Sequence, residues 1–244
     1  MKSVGSTMKL PNIKGFLPVS MLDWPGKVCS VIFLGGCSFR CPACHNHKLV
    51  LAPESCEDIA LSQVVSYLRE KSGWVDGVTI TGGEPTCHPG LPEFVRQFRK
   101  LGLDIKIDTN GFNPSMLEKL IKGELIDAVA MDVKAPLEKK IYSRLAGVDV
   151  DLKDIQRSIE VIKTSGIRAF FRTTAIPGLV GEKELRSIWE DLGDACTYSV
   201  QRFRNIDTLD PEFRKIPSLD LEIFDCLQSH FQRTDSDRPR HSIN

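Results

Sequence analysis

Val28-Cys-Ser-Val-Ile-Phe-Leu34-Gly-Gly-Cys37-Ser-Phe-Arg-Cys41-Pro-Ala-Cys44 joins a β-rich apolar run, across two glycines, to a loop that carries three cysteines. The run has the length and composition of a buried strand, and the glycines end it. The same succession recurs downstream. A helical period covers Ile59 to Lys71, and Val78-Thr-Ile80 then ends at Thr81-Gly-Gly-Glu-Pro85, followed by a helix over Leu91 to Leu101. Leu103 to Ile107 runs into Asp108-Thr-Asn-Gly111, and Pro114 sits in the first turn of a helix through Lys122, a position that suits proline. Ile126 to Met131 ends in Asp132-Val-Lys134. A helix over Leu152 to Ser165 stops at Gly166, which suits a left-handed cap. Arg168 to Ala175 is closed by Ile176-Pro-Gly178. A helix over Glu182 to Leu192 and a strand over Cys196 to Phe203 complete the series.

Six strand-then-helix units predict an α/β fold with a parallel sheet and right-handed crossovers. Six is fewer than the eight of a closed barrel. An open, partial (β/α)6 TIM-like barrel and a doubly wound sheet both fit. Leu219 to Phe231 has the pattern of an amphipathic C-terminal helix, and the polar tail Gln232 to Asn244 is expected to fray. The polar clusters Gly82-Gly83-Glu84, Asp108-Thr-Asn110, Asp132-Val-Lys134 and Gln201 all fall at the C-terminal ends of these strands. In parallel α/β folds that edge binds ligands.

The chain has 244 residues, with 32 basic and 32 acidic side chains and zero formal net charge. That balance removes the electrostatic case for non-specific nucleic-acid or polybasic membrane binding. The longest apolar stretch, Val28 to Leu34, is too short to cross a bilayer. Met1 to Leu10 has no continuous apolar segment of the kind a signal peptide needs. A reducing, cytoplasmic setting is therefore expected. The eight cysteines, about 3% of the chain, are too sparse for a disulfide scaffold.

C-x3-C-x2-C in a short loop is a thiolate ligand set for an iron–sulfur cluster or zinc. Three thiolates on a four-iron cluster leave one iron open to chemistry. Zinc held by the three cysteines and His45 is the alternative, although adjacent Cys44 and His45 reach one tetrahedral ion with difficulty. Scattered structural cysteines are a third reading.

The cysteine spacing after the first strand, with Gly-Gly-Glu after the second, resembles the radical S-adenosylmethionine (SAM) superfamily over Gly15 to about Arg204. Cys44-His45-Asn46, Asp108-Thr-Asn-Gly111 and Met131-Asp-Val-Lys134 narrow the resemblance to the activating enzymes of glycyl-radical proteins. Leu22-Asp-Trp-Pro-Gly26, whose Pro-Gly suits a type II turn, is similar to the lead-in of the group that activates anaerobic ribonucleoside-triphosphate reductase. The fold implied is a partial barrel of the radical SAM type. The domains expected are an N-terminal extension over 1–24, a radical SAM core over 25–204, and a C-terminal helix with its tail over 205–244.

The resemblance implies that Cys37, Cys41 and Cys44 hold one [4Fe-4S] cluster whose open iron chelates SAM. Reductive cleavage of a carbon–sulfur bond then gives methionine and a 5′-deoxyadenosyl radical that abstracts hydrogen, with no side-chain acid or base required. Gly82, Gly83 and Glu84 match the segment receiving the SAM amino group. Glycines allow close approach there, and carbonyls and a carboxylate accept from an ammonium. Lys134 matches a lysine near the SAM carboxylate. Asp108 and Asp132 match carboxylates that in some relatives help to hold a monovalent cation, with helix capping as their structural alternative. Asn110 falls in the same cofactor-binding set. Arg172 resembles an arginine that steadies SAM, and Gln201 stands where some relatives carry a histidine facing SAM. Ala43 departs from the family, which usually has an aromatic residue there beside the adenine. A stacking contribution of about 1 kcal/mol is absent with alanine, and Phe39 and His45 are the rings close by in sequence.

Cys29, Cys56, Cys87, Cys196 and Cys226 show no paired spacing, and Cys29 and Cys196 read as core residues. About 37 residues separate Cys44 from Gly82, leaving no room for an inserted two-cluster module, so one cluster is expected. His88 reads as a surface or capping residue and Glu138-Lys139-Lys140 as a solvated face. The partners implied are a glycyl-radical enzyme, in particular anaerobic ribonucleotide reductase, and flavodoxin or ferredoxin as the electron donor. Two other functions fit parts of the pattern. One is a radical SAM enzyme acting on a small molecule such as a purine-derived base, with Asn205 to Ser218 contributing to its pocket. The other is a non-catalytic iron–sulfur or zinc module.

Overall fold

Side chains alternate across each strand, and burial follows the alternation. In the computed structural model, which describes residues 9–193, 196–232 and 234, Ile105 and Ile107 pack into one apolar layer while Lys106 lies on the opposite face of the same strand. The strands are β1 (Ile13–Ser20), β2 (Cys29–Leu34), β3 (Gly77–Gly82), β4 (Asp104–Thr109), β5 (Ala128–Asp132), β6 (Arg168–Ala175) and β7 (Thr197–Arg202). They form one seven-stranded sheet in sequence order. β2 through β7 are parallel, and β1 is antiparallel to β2.

A doubly wound sheet reverses its strand order at a switch point, and this order never reverses. β1 and β7 are its two ends, so the sheet is an open, partial (β/α)6 barrel. The helices are α1 (His47–Leu51), α2 (Leu61–Glu70), α3 (Leu91–Arg99), α4 (Pro114–Lys122), α5 (Lys139–Ala146), α6 (Leu152–Thr164), α7 (Glu182–Leu192) and α8 (Leu221–Phe231). Their apolar stripes meet the outer face of the sheet. In α3, Leu91, Phe94, Val95 and Phe98 are fully buried at helical spacing, with Phe94 and Phe98 edge to face at 5.1 Å. Asn113 and Asp151 cap α4 and α6 by accepting from Met116 N at 3.1 Å and Lys153 N at 3.0 Å.

The inner face carries a smaller apolar cluster of Trp24, Cys29, Val31, Ala128, Ala130 and Phe170. Small residues on β5 matter here. Ala128 pairs in register with Lys106 and Ala130 with Asp108, which leaves room for long charged side chains across the sheet.

Residues 13–20, expected to lie in an N-terminal extension, form the edge strand of the sheet. Gly15 and Pro18 weaken the strand signal there, since proline is tolerated only where no ladder donor is needed. At this edge the Pro18 carbonyl accepts from Ser30 Oγ at 2.5 Å, and the register shifts between Leu17 and Ser20. The charged run Glu138-Lys139-Lys140 is exposed as expected, but it opens α5, whose other face buries Tyr142, Leu145 and Ala146. Of the expected polar tail, residues 233 and 235–244 lie outside the described residues, as do residues 1–8. No helix among the described residues is long and apolar enough to cross a membrane.

The two layers predict unequal responses to truncation. Phe98→Ala should lower unfolding free energy by about 3–5 kcal/mol. Trp74→Ala, at a side chain 80% exposed, should change it by less than about 0.5 kcal/mol. Urea denaturation of the two variants checks this, and equal losses would contradict the burial pattern.

Candidate functional site

The loop after β2 is fixed from four directions. Gly36 N donates to Leu49 O at 2.7 Å, and Arg40 N to Ala146 O at 2.8 Å at the end of α5. Leu209 N and Asp210 N, from the segment after β7, donate to the carbonyls of Cys44 and Pro42 at 2.9 and 3.0 Å. Phe39 is buried beneath the loop and meets Phe112 edge to face at 6.1 Å. At the end of α5, Gly147 has φ +68°, and a Cβ there would overlap the Arg40 carbonyl oxygen. The cysteine loop is therefore a built part of the fold.

Cys37, Cys41 and Cys44 line a single cavity of about 260 Å³ at the C-terminal ends of the strands. Ala43, His45, Gly82, Gly83, Glu84, Asp108, Asn110, Asp132, Lys134 and Arg172 line the same cavity. Gln201 does not. It is exposed on β7, paired in register with the cavity-lining Thr174.

Burial pushes the Cys37 thiol up to about 12 and the Cys41 thiol to about 11, and raises Cys44 as well. Partly buried thiols of this kind ionise in exchange for a bound metal cation. Among the described residues no three His, Cys, Asp or Glu side chains converge to hold one ion. His45 Nε2 instead meets the Arg204 carbonyl at 2.8 Å. A donor set in which each thiolate takes a different iron fits a cluster.

Across the cavity, charges alternate along three strand ends. Asp108 pairs with Lys106 through Oδ1 and accepts from Arg172 Nη1 at 3.2 Å through Oδ2. Asp132 accepts from Arg172 Nε at 2.8 Å and from Lys134 Nζ at 3.0 Å. Burial alone would raise the Asp132 carboxyl. The Arg172 guanidinium and Lys134 ammonium overcome it and hold Asp132 well below the usual carboxylate range. Burial alone would also lower Lys134, but Asp132 keeps it above its ordinary value. Arg172, opposed by burial in the same way, is held up by Asp108 and Asp132.

Glu84, expected to accept from the SAM ammonium, spends its carboxylate inside the protein. It is 1% exposed. Oε1 accepts from Thr86 N, Thr86 Oγ1 and Thr109 Oγ1 at 3.1, 2.6 and 2.7 Å, and Oε2 from Asn110 N at 2.6 Å. Burial raises the Glu84 carboxyl against these donors. The glycines before it also have an internal reason. A Cβ on Gly83 would overlap the Gly36 carbonyl oxygen, and Gly83 N donates to Leu34 O at 2.8 Å.

Asn110 Nδ2 lies 3.7 Å from Cys37 Sγ and 3.1 Å from Ser38 Oγ, so it braces the cysteine loop. His88, expected at the surface or in a cap, is instead half-buried and braces a distant loop, its Nε2 meeting the Gly35 carbonyl at 2.9 Å, and burial lowers its pKa. Asn46, read from sequence only as part of the Cys44-His45-Asn46 motif, lines the cavity and donates to Gly82 O at 3.0 Å, and Lys106, which stands behind Asp108, is revealed by no motif. Lys106 sits mid-strand, where a lone lysine has no sequence signal.

Residues 31–188 match the model of the radical SAM superfamily. A Methanocaldococcus jannaschii protein, named as a glycyl-radical enzyme activating enzyme, is 34% identical over 209 residues, covering 84% of this chain and 85% of the relative. The pyruvate formate-lyase-activating enzyme of Clostridium pasteurianum is 24% identical over 233 residues, covering 88% and 94%. Among solved structures, Streptococcus suis SuiB bound to S-adenosylmethionine superposes with a TM-score of 0.61 at 19% identity, a likeness of fold. That match covers 80% of this chain but 44% of SuiB, so the chain spans under half of that protein. By its cysteine loop, its strand-end site and these matches, the chain belongs to the radical SAM superfamily, among the relatives of glycyl-radical enzyme activating enzymes.

Proposed function

We propose that the chain is an oxidoreductase that generates a glycyl radical on a partner enzyme, with Cys37, Cys41 and Cys44 holding one [4Fe-4S] cluster and SAM bound beside it. The observation that carries the reading is the meeting of three half-buried thiols and an alternating charge chain in one cavity. A cluster held by Cys37, Cys41 and Cys44 would supply the electron for reductive cleavage of SAM and so the hydrogen abstraction from the partner. The protein binds, orients and excludes water. Lys134 and Arg172 present cationic donors to the SAM carboxylate. The Gly82–Gly83 backbone offers the amino group its acceptors, with Glu84 as the buried prop of that segment. Asn110 steadies the cysteine loop. Ala43 and His45 stand on the adenine side.

The radical SAM core is read as 25–204, completed by β1 from the first segment and by the residues after β7 that hold the cysteine loop. The open side of the sheet gives a macromolecular substrate lateral access. Anaerobic ribonucleotide reductase is the partner proposed, on the resemblance of Leu22-Asp-Trp-Pro-Gly26. Pyruvate formate-lyase, named by relatives, is the competing candidate. A flavodoxin or ferredoxin is the proposed reductant, in a cytoplasmic setting.

Anaerobic reconstitution tests the reading. It should give about four irons per chain, lost in Cys37→Ala, Cys41→Ala and Cys44→Ala, and reduction with SAM should release 5′-deoxyadenosine. Paramagnetic resonance should then detect a glycyl radical on the reductase but not on pyruvate formate-lyase. An iron count near eight, or no cleavage of SAM, would falsify it. Lys134→Met should weaken SAM binding by about tenfold to a hundredfold, the scale of one charge-assisted hydrogen bond.

Acid should weaken the charge chain in a defined window. Because the folded Asp132 carboxyl lies below its ordinary 3.8, its ion pairs contribute stability above that value and lose it as pH falls further. Unfolding midpoints of the wild type should fall more steeply below about pH 4 than those of Asp132→Asn. Parallel curves would show that the pairs contribute nothing.

A further inference from the structure

Lysine is almost never fully buried unless paired, yet Lys106 is 1% exposed on the inner face of β4. Ala128 lies opposite in register and leaves space for its stem. Its ammonium pairs with Asp108 Oδ1, whose other oxygen accepts from Arg172 at 3.2 Å. Arg172 passes the contact on to Asp132 at 2.8 Å, and Lys134 closes the series at 3.0 Å. Each carboxylate thus has two cationic partners, and three cations face two carboxylates. A monovalent cation, implied for such paired carboxylates by the family resemblance, does not fit. Every one of the four carboxylate oxygens already has a cationic partner, and an added ion would meet three like charges.

We infer that Lys106 is a positioning residue that stands in place of a monovalent cation. It holds Asp108, and through it Arg172, so that SAM binding by this chain needs no sodium or potassium. The inference rests on the SAM site proposed above. With Lys106 in place the series keeps one positive charge in excess, the complement of a single substrate carboxylate. Without it, Asp108 and Asp132 compete for Arg172, the excess disappears, and a small cation gains a carboxylate oxygen to bind.

The test compares potassium chloride, sodium chloride and tetramethylammonium chloride at equal ionic strength. The cluster-loaded protein is used, with SAM affinity read by equilibrium dialysis and stability by thermal melting. Wild-type affinity and melting temperature should be the same in all three salts. Lys106→Met should bind SAM at least about tenfold more weakly in tetramethylammonium and recover affinity and melting temperature in potassium or sodium. Lys106→Arg should behave as wild type. Wild-type binding that needs potassium or sodium overturns the inference, and so does a Lys106→Met protein with no salt preference. The wild-type salt series decides the matter even if Lys106→Met does not fold. If the wild type binds no SAM in any salt, the proposed function fails instead. Melting then still tests Lys106, because a wild type stabilised by potassium over tetramethylammonium contradicts the inference.

Discussion

The backbone of Gly83 lies against the backbone of Gly36, with Gly83 N bonded to Leu34 O and Glu84 N to Gly36 O, each at 2.8 Å. This contact sets the distance between the cysteine loop and the loop after β3, and no side chain fits between them. Glu84 extends the constraint by one strand, since its buried carboxylate takes the Thr109 hydroxyl and the Asn110 amide at the end of β4. Asn110 then reaches back to the cysteine loop through Ser38. Three successive strand ends are thereby locked in a ring of short hydrogen bonds. A carboxylate buried this deeply is tolerated because four donors satisfy it.

The other half of the cavity is organised by charge. β4, β5 and β6 each bring ionised residues to the same level, and Arg172 is the shared member between Asp108 and Asp132. Such a series resists rearrangement, because moving one member leaves a part-buried neighbour unpaired. Its geometry depends on apolar choices below it. Alanine at 128 and 130 makes the inner face of β5 shallow, so the long side chains of β4 and β6 can meet across it.

Much of this was legible in the sequence because it is carried by local patterns. The strand at Arg168–Ala175 and the helices at Pro114–Lys122 and Glu182–Leu192 have the bounds their periodicity predicts. The clusters at Gly82, Asp108 and Asp132 share a cavity because parallel strands end on one side. What sequence could not supply is pairing at a distance. β1 is masked by Gly15 and Pro18, which only an edge position tolerates. Glu84 reads as a ligand because its four donors come from its own turn and from residues 25 and 26 positions downstream. Lys106 carries no motif, and its meaning arises only from Asp108 above it and Ala128 beside it. Gln201 has the right strand and face, but the open edge of the sheet sets it outside the cavity.

The segment after β7 has a consequence in time. Cys44 is held through Leu209, and His45 through Arg204, 159 positions later in the chain. A nascent chain that has emerged only as far as β6 contains all three cysteines and both carboxylates but lacks this strap. The contacts that hold Pro42, Cys44 and His45 from this side therefore form only after the segment that follows β7 has been made.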